Sequence, residues 1–152
     1  MSKAVCKDKD IQQMSDPHLF GYTAHCFERF MENKLRPYNI GIEQLGVLYL
    51  LRHYHAKNLS IREISSLLAK NITTTSRILS SLEKKGLLKR TKDEKDKRIT
   101  YVSLTEQGYK KIDKIAFLKN EMDNIFNSTL TQDEKNTLRN VLAKLIKAVS
   151  CD

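Results

Sequence analysis

The stretch SIREISSLLAKNITTTSRILSSLEKKGLLKR, residues 60–90, decides the fold. Ser60-Ile61-Arg62-Glu63 is a capping box: the serine oxygen accepts an amide hydrogen bond, and Glu63 reaches back to the cap amide. Ile61, Ile64, Leu67 and Leu68 follow as one face of a short helix. Ala69, Lys70 and Asn71 form a tight turn, with Asn71 as the next cap. The helix predicted over 72–85 carries Ile72, Thr75, Ile78, Leu79 and Leu82 on one face. Its other face presents Thr73, Thr74, Ser76, Arg77, Ser80, Ser81 and Lys84, and Gly86 stops it. Two short helices joined tightly, the second with an apolar back and a small polar front, predict a helix-turn-helix.

Beyond Gly86 the period changes. Residues 87–91 and 99–104 are rich in β-formers, and the charged link KDEKDKR at 92–98 separates them, which predicts a hairpin with a solvated tip. From Lys84 to Arg98 there are eight basic residues (Lys84, Lys85, Lys89, Arg90, Lys92, Lys95, Lys97 and Arg98) against three acidic ones. A basic hairpin directly behind a helix-turn-helix is the winged-helix arrangement, with the hairpin lying along a nucleic-acid backbone and an arginine entering the minor groove. A front face of threonine and serine suits a major groove about 12 Å wide, because small hydrogen-bonding groups let the helix approach base edges.

Outward from this core the chain reads as helix. Residues 1–15 are polar and read as a flexible arm. Ser15-Asp16-Pro17 starts a helix, with Asp16 as the cap, and Pro37 and Gly41 end it. A second helix fits 42–55. Thr105 opens a long helix to about residue 129, and Thr131-Gln132-Asp133-Glu134 is a second capping box opening the last one. The expected organisation is therefore a winged helix-turn-helix domain at 42–104, with 16–41 and 105–150 as a helical dimerisation region. The fold class is mainly α with a small β-hairpin wing. A continuous helix over 105–129 exceeds what so small a winged core can cover, which favours twofold association.

The whole chain of 152 residues has 27 Lys and Arg against 18 Asp and Glu, a formal net charge of +9. That balance favours a polyanionic partner, double-stranded DNA first. No apolar run approaches the roughly 20 residues that span a bilayer, and Met1–Asp10 lacks a signal-peptide stretch, so no membrane role and a cytoplasmic location are expected. Cys6, Cys26 and Cys151 are too scattered for a disulfide scaffold. No cofactor, metal or enzymatic activity is expected. His18 and His25 lie two helical turns apart, His53 and His55 point to different sides, and no nucleophile–base set can be assembled.

The sequence resembles the MarR/SlyA family of winged-helix regulators from about Leu19 to Val149. LRPYNIGIEQLGVLYLL at 35–51 resembles the family's link between its first two helices, and 60–90 its helix-turn-helix with the first wing strand. DKRITYVSLTEQG at 96–108 resembles its D-x-R…V-x-L-T-x-x-G signature, through Asp96, Arg98, Val102, Leu104, Thr105 and Gly108. The resemblance implies a homodimer, a pseudo-palindromic operator, and repression relieved by a small aromatic, anionic or oxidising effector. It implies base-reading by Thr73, Thr74, Ser76 and Arg77, wing contact by Arg98, and an Asp96 that holds the wing by pairing with an arginine. Lys84, Lys89, Lys92, Lys95 and Lys97 complete the basic DNA-facing set. Tyr22, His25, Phe30, Tyr49, Arg52 and His53 are candidates for an effector pocket. Cys26 sits mid-helix beside Phe27, where a buried or interfacial apolar role is expected. Two alternatives stand beside this reading: a thiol-based redox-sensing DNA-binding regulator, and a winged-helix ligand- or protein-binding module without DNA binding.

Overall fold

The capping chemistry of residues 60–86 is realised bond for bond. The computed structural model describes residues 8–55 and 58–149, so Cys6, Cys151 and arm residues 1–7 lie outside the described residues. The order is α1 (Asp8–Gln12), α2 (Asp16–Leu35), a 3-10 turn (Arg36–Tyr38), α3 (Ile42–His53), β1 (Leu59–Ser60), α4 (Ile61–Leu67), α5 (Ile72–Lys84), β2 (Leu88–Lys92), β3 (Thr100–Leu104), α6 (Glu106–Ile115), α7 (Phe117–Thr129) and α8 (Gln132–Val149). Residues 8–12 of the expected arm are thus helical. Ser15, not Asp16, stands at the N-cap of α2, with Asp16 in its first turn and no side-chain capping bond.

Ser60 Oγ accepts the Glu63 amide at 3.2 Å, and Glu63 Oε2 accepts the Ser60 amide at 2.7 Å. Asn71 Oδ1 accepts the Thr74 amide at 2.7 Å, which starts α5. Both helices end in the same motif. The Lys70 amide donates to Ser65 O and the Ala69 amide to Ser66 O after α4; after α5, Leu87 donates to Leu82 O and Gly86 to Glu83 O. These paired bonds need a left-handed residue at the helix end. Gly86 takes it at φ +69°, and Ala69, with no glycine available, takes it at φ +49°.

The hairpin is part of a three-stranded antiparallel sheet in the order β1-β3-β2. Arg90 lies opposite Val102 in the β2–β3 ladder, and Leu59 opposite the same valine in the β1–β3 ladder. The two-residue strand β1 was not predicted. Its effect is to tie the first residue of the helix-turn-helix to the wing. Ile64, Thr75, Ile78, Leu79, Leu82, Leu88 and Val102 form the buried interior of this part.

Two apolar positions depart from the periodic reading. Leu67 is 48% and Ile72 51% exposed, while Ser65 and Thr75 are buried. Helices this short have stripes whose edge residues fall outside the covered arc. The helix predicted over 105–129 is interrupted at Ala116, where the Lys119 amide bonds to Ala116 O with i,i+3 spacing and α7 begins a new ladder. The chain divides after Asp113 into two compact units. In the second, Thr131 and Glu134 form the expected capping box at the start of α8. Val141, Leu145, Ile146 and Val149 of α8 are exposed, the last at 79%.

Candidate nucleic-acid interface

The polar front of α5 is open. Thr73 and Arg77 are exposed, Thr74 and Ser76 half-buried, and Thr75 beneath them is buried with its Oγ1 donating to Asn71 O at 3.0 Å. That internal bond satisfies the one polar group on the apolar back. Thr73, Arg77, Ser80 and Lys84 recur at helical spacing, so they form a single stripe.

Between α5 and the wing lies a cleft of about 620 Å³ lined by Ser60, Ile61, Arg62, Ile72, Ser76, Asp96, Arg98, Ile99 and Thr100. It brings Ser76 of the helix and Arg98 of the wing to one surface. It also adds Arg62, an exposed cation in the first turn of α4 that the sequence reading used only as part of a capping box. Ile72 and Ile99, both exposed, give the cleft apolar walls. Lys84, Lys89, Lys92, Lys95 and Lys97 are exposed but do not line it. Lys89 alternates to the sheet face opposite Arg90.

The wing tip is built by two aspartates. Asp93 Oδ1 accepts the amides of Lys95 and Asp96 at 2.8 and 2.7 Å, and these bonds hold its carboxyl below the ordinary range. Asp96 Oδ1 accepts the Arg98 amide at 3.0 Å and its Nε at 3.1 Å, while Arg98 Nη2 donates to Oδ2 at 3.3 Å. The Arg98 pairing lowers the Asp96 carboxyl as well. The arginine that Asp96 pairs with is therefore the wing arginine itself, oriented while 91% of its side chain stays open to solvent.

Arg90 has a different part. Its Nη2 donates to Ser76 O at 3.1 Å and Ser80 Oγ at 2.9 Å, and its Nε stands 3.5 Å from Glu83. It clamps β2 to α5. Strand alternation carried this signal, since Leu88, Arg90 and Lys92 share a face.

The six residues considered for an effector pocket have varied surroundings. Tyr22, Phe30 and Tyr49 are half-buried. His25 is exposed 4.0 Å from Glu28, Arg52 is bound to Asp113 at 2.6 Å, and the His53 ring packs edge-on against Tyr54. Lys34 lies over the Phe30 ring. Cys26 is exposed in the single chain, so of the buried or interfacial role expected for it the buried alternative is not taken. Among the described residues no group of three or more His, Cys, Asp or Glu is placed to hold a metal, and no helix is long and apolar enough to cross a membrane.

Known proteins share this architecture. The Staphylococcus aureus MepR–DNA complex superposes with a TM-score of 0.82 at 25% identity, covering 89% of this chain and 96% of that one. MepR in its DNA-binding conformation gives 0.78 at 26% identity, over 90% and 99%. Escherichia coli MarR C80S with operator DNA, at 24% identity and 0.79, shares the fold. In sequence, the HTH-type transcriptional regulator Hpr of Geobacillus thermodenitrificans is 36% identical over 81 residues, 53% of this chain and 40% of that protein. The match thus spans less than half the length of such relatives. The SarA/Rot transcriptional regulator model matches residues 29–115. With its helix-turn-helix, oriented wing arginine and MarR/MepR winged-helix fold, the chain belongs to the SarA/Rot family of transcriptional regulators.

Proposed function

We propose that the chain binds double-stranded DNA as a homodimer at a pseudo-palindromic operator, represses transcription there, and is released by a small effector. The observation that carries the DNA reading is the shared cleft: Ser76 of α5, Arg62 of α4 and an arginine pre-set by Asp96 line one surface. Arg77 reads a base edge, and Arg98 contacts the minor groove or backbone. The exposed apolar face of α8 supports self-association, as does a groove of about 490 Å³ lined by Phe126, Leu138, Leu142 and Ile146 among others. In a twofold dimer, two recognition helices read half-sites about 10 base pairs apart.

The test starts from duplexes selected out of a random pool, titrated with salt for wild type, Arg77→Ala and Arg98→Ala. Loss of Arg77 should cost about 1–3 kcal/mol on the selected duplex and flatten the preference at one position per half-site. Loss of Arg98 should weaken selected and scrambled duplexes together and reduce the slope of log affinity against log salt. Affinity within about twofold of wild type for both variants on every duplex would refute the reading. Sedimentation at micromolar protein should give twice the chain mass of 17.6 kDa, and a monomer would remove the two-half-site operator.

A further inference from the structure

Ile72 is the first residue of α5, and 51% of it is exposed. Neither capping nor the core calls for an isoleucine there. Asn71 caps the helix: its Oδ1 accepts the Thr74 amide at 2.7 Å and its carbonyl accepts the Thr75 amide at 3.0 Å. The interior side of α5 is supplied by Thr75, Ile78, Leu79 and Leu82. A β-branched residue also adds no helix propensity. Left in water, its apolar surface contributes nothing until a partner covers it.

Ile72 and Ser76 lie one turn apart on the flank of α5 that lines the helix–wing cleft, and the wing side of that cleft carries Arg98 and Ile99, the latter 37% exposed. Asp96, the carboxylate among the lining residues, is engaged by Arg98 through Nε at 3.1 Å and Nη2 at 3.3 Å. The exposed Arg62 lines the cleft as well. Ile72 is thus an apolar patch among cations, continuous through Thr73 with the polar front of the recognition helix. The first residues of such a helix are the ones that reach base edges. In the major groove, the apolar group that sets one base apart is the 5-methyl of thymine. Cytosine in the same place would lack the methyl and turn its amino donor toward a side chain that cannot accept it.

We infer that Ile72 is a specificity-determining residue that packs on the methyl group of one thymine per half-site, an assignment that rests on the DNA reading proposed above and names a base it selects. The phosphates flanking that thymine lie toward Arg62 and Arg98, and Ile99 closes the wing side of the cleft.

Duplexes selected from a random pool are remade with deoxyuridine for thymine, one position at a time in both half-sites, which deletes the methyl and leaves the pairing edge intact. In wild type, one position should cost about fourfold in affinity per half-site, the effect of one buried methyl, and about tenfold or more when both half-sites carry it. Ile72→Ala should bind the thymine duplex less tightly and hold it and the doubly substituted duplex within about twofold of each other. Ile72→Val should retain part of the discrimination and Ile99→Ala all of it, with thermal melts confirming that each variant is folded. The inference is overturned if wild type binds every deoxyuridine duplex within about twofold of its parent, or if the penalty survives in Ile72→Ala or disappears in Ile99→Ala instead. It is overturned equally if Ile72→Ala weakens both duplexes alike, which would set the side chain against sugar, or if it lowers the sedimenting mass, which would make the patch a contact between copies. Arg77→Ala and Arg98→Ala on the parent duplexes test the DNA reading separately: if their effects stand and no deoxyuridine penalty appears, only the methyl contact fails.

Discussion

Gly108 stands in the first turn of α6, where its amide donates to Thr105 Oγ1 at 3.1 Å. A methyl group added there would fall well inside the contact radius of the Leu87 carbonyl oxygen, 3.1 Å from its carbon and 3.2 Å from Leu104 Cδ2. The obstacle is backbone, which cannot rotate aside as a side-chain end can. Gly108→Ala must therefore push α6 from Leu87 by about an ångström, an overpacking cost of about 1–3 kcal/mol. The same movement strains the bond from the Thr105 amide to Leu87 O, 3.1 Å, and that from Thr105 Oγ1 to Gly86 O, 2.6 Å. Each is worth about 0.5–1.5 kcal/mol net, while alanine returns about 1 kcal/mol of helix propensity. The net loss is about 2–4 kcal/mol, or about 5–15 °C in Tm for a chain of this size. Gly21→Ala is the internal control: it lies within α2 with nothing inside 4 Å of the added carbon, so it should gain about 0.5–1 kcal/mol. Thermal unfolding by circular dichroism measures both variants. If Gly108→Ala melts within about 2 °C of wild type, the close approach does not constrain this position.

Three further outcomes are expected. Ala69→Gly should stabilise by up to about 1 kcal/mol in urea unfolding, because left-handed backbone is unfavourable for alanine; a loss of stability would contradict this. Arg90→Met, which removes the clamp to Ser76 and Ser80, should weaken binding to all duplexes and accelerate amide exchange in β2, while unchanged exchange would dismiss the clamp. The bonded Asp93 carboxyl is lowered relative to the unfolded chain, so its contribution is full above about pH 4 and fades as pH falls through the lowered folded value; the amide signals of Lys95 and Asp96 should titrate with a midpoint below the ordinary aspartate value, and a midpoint at or above about pH 4 would refute it.

The legible parts of the fold were those written in local chemistry. Ser60, Asn71, Gly86 and the Thr131–Glu134 box each act within a few residues, so their spacing alone carries the helix ends. Strand β1 was hidden because two residues cannot display alternation. The break at Ala116 was hidden because alanine is the strongest helix former and gives no stop signal. Ile72 was placed with the buried stripe because periodicity identifies a face without saying where its cover ends. At the candidate interface, Thr73, Ser76, Arg77 and Arg98 were named from spacing and resemblance, and Asp96 was expected to pair with an arginine. Arg62 and Arg90 were missed as functional parts, one hidden within a capping motif and the other within a basic run whose members diverge once strand alternation sorts them.

Ser60 is both a strand residue paired with Tyr101 and the cap of α4. Its register in the sheet and its position at the helix start are therefore one specification, with no residue between them to absorb an error. An insertion beside it would have to sacrifice either the ladder or the cap. At the tip spanning 93–99, by contrast, β2 and β3 have already completed their pairing, and added length would extend into solvent. Divergence among chains of this design is expected to accumulate as changes of length at the tip, while the junction at Ser60 keeps its spacing even where its residues are replaced.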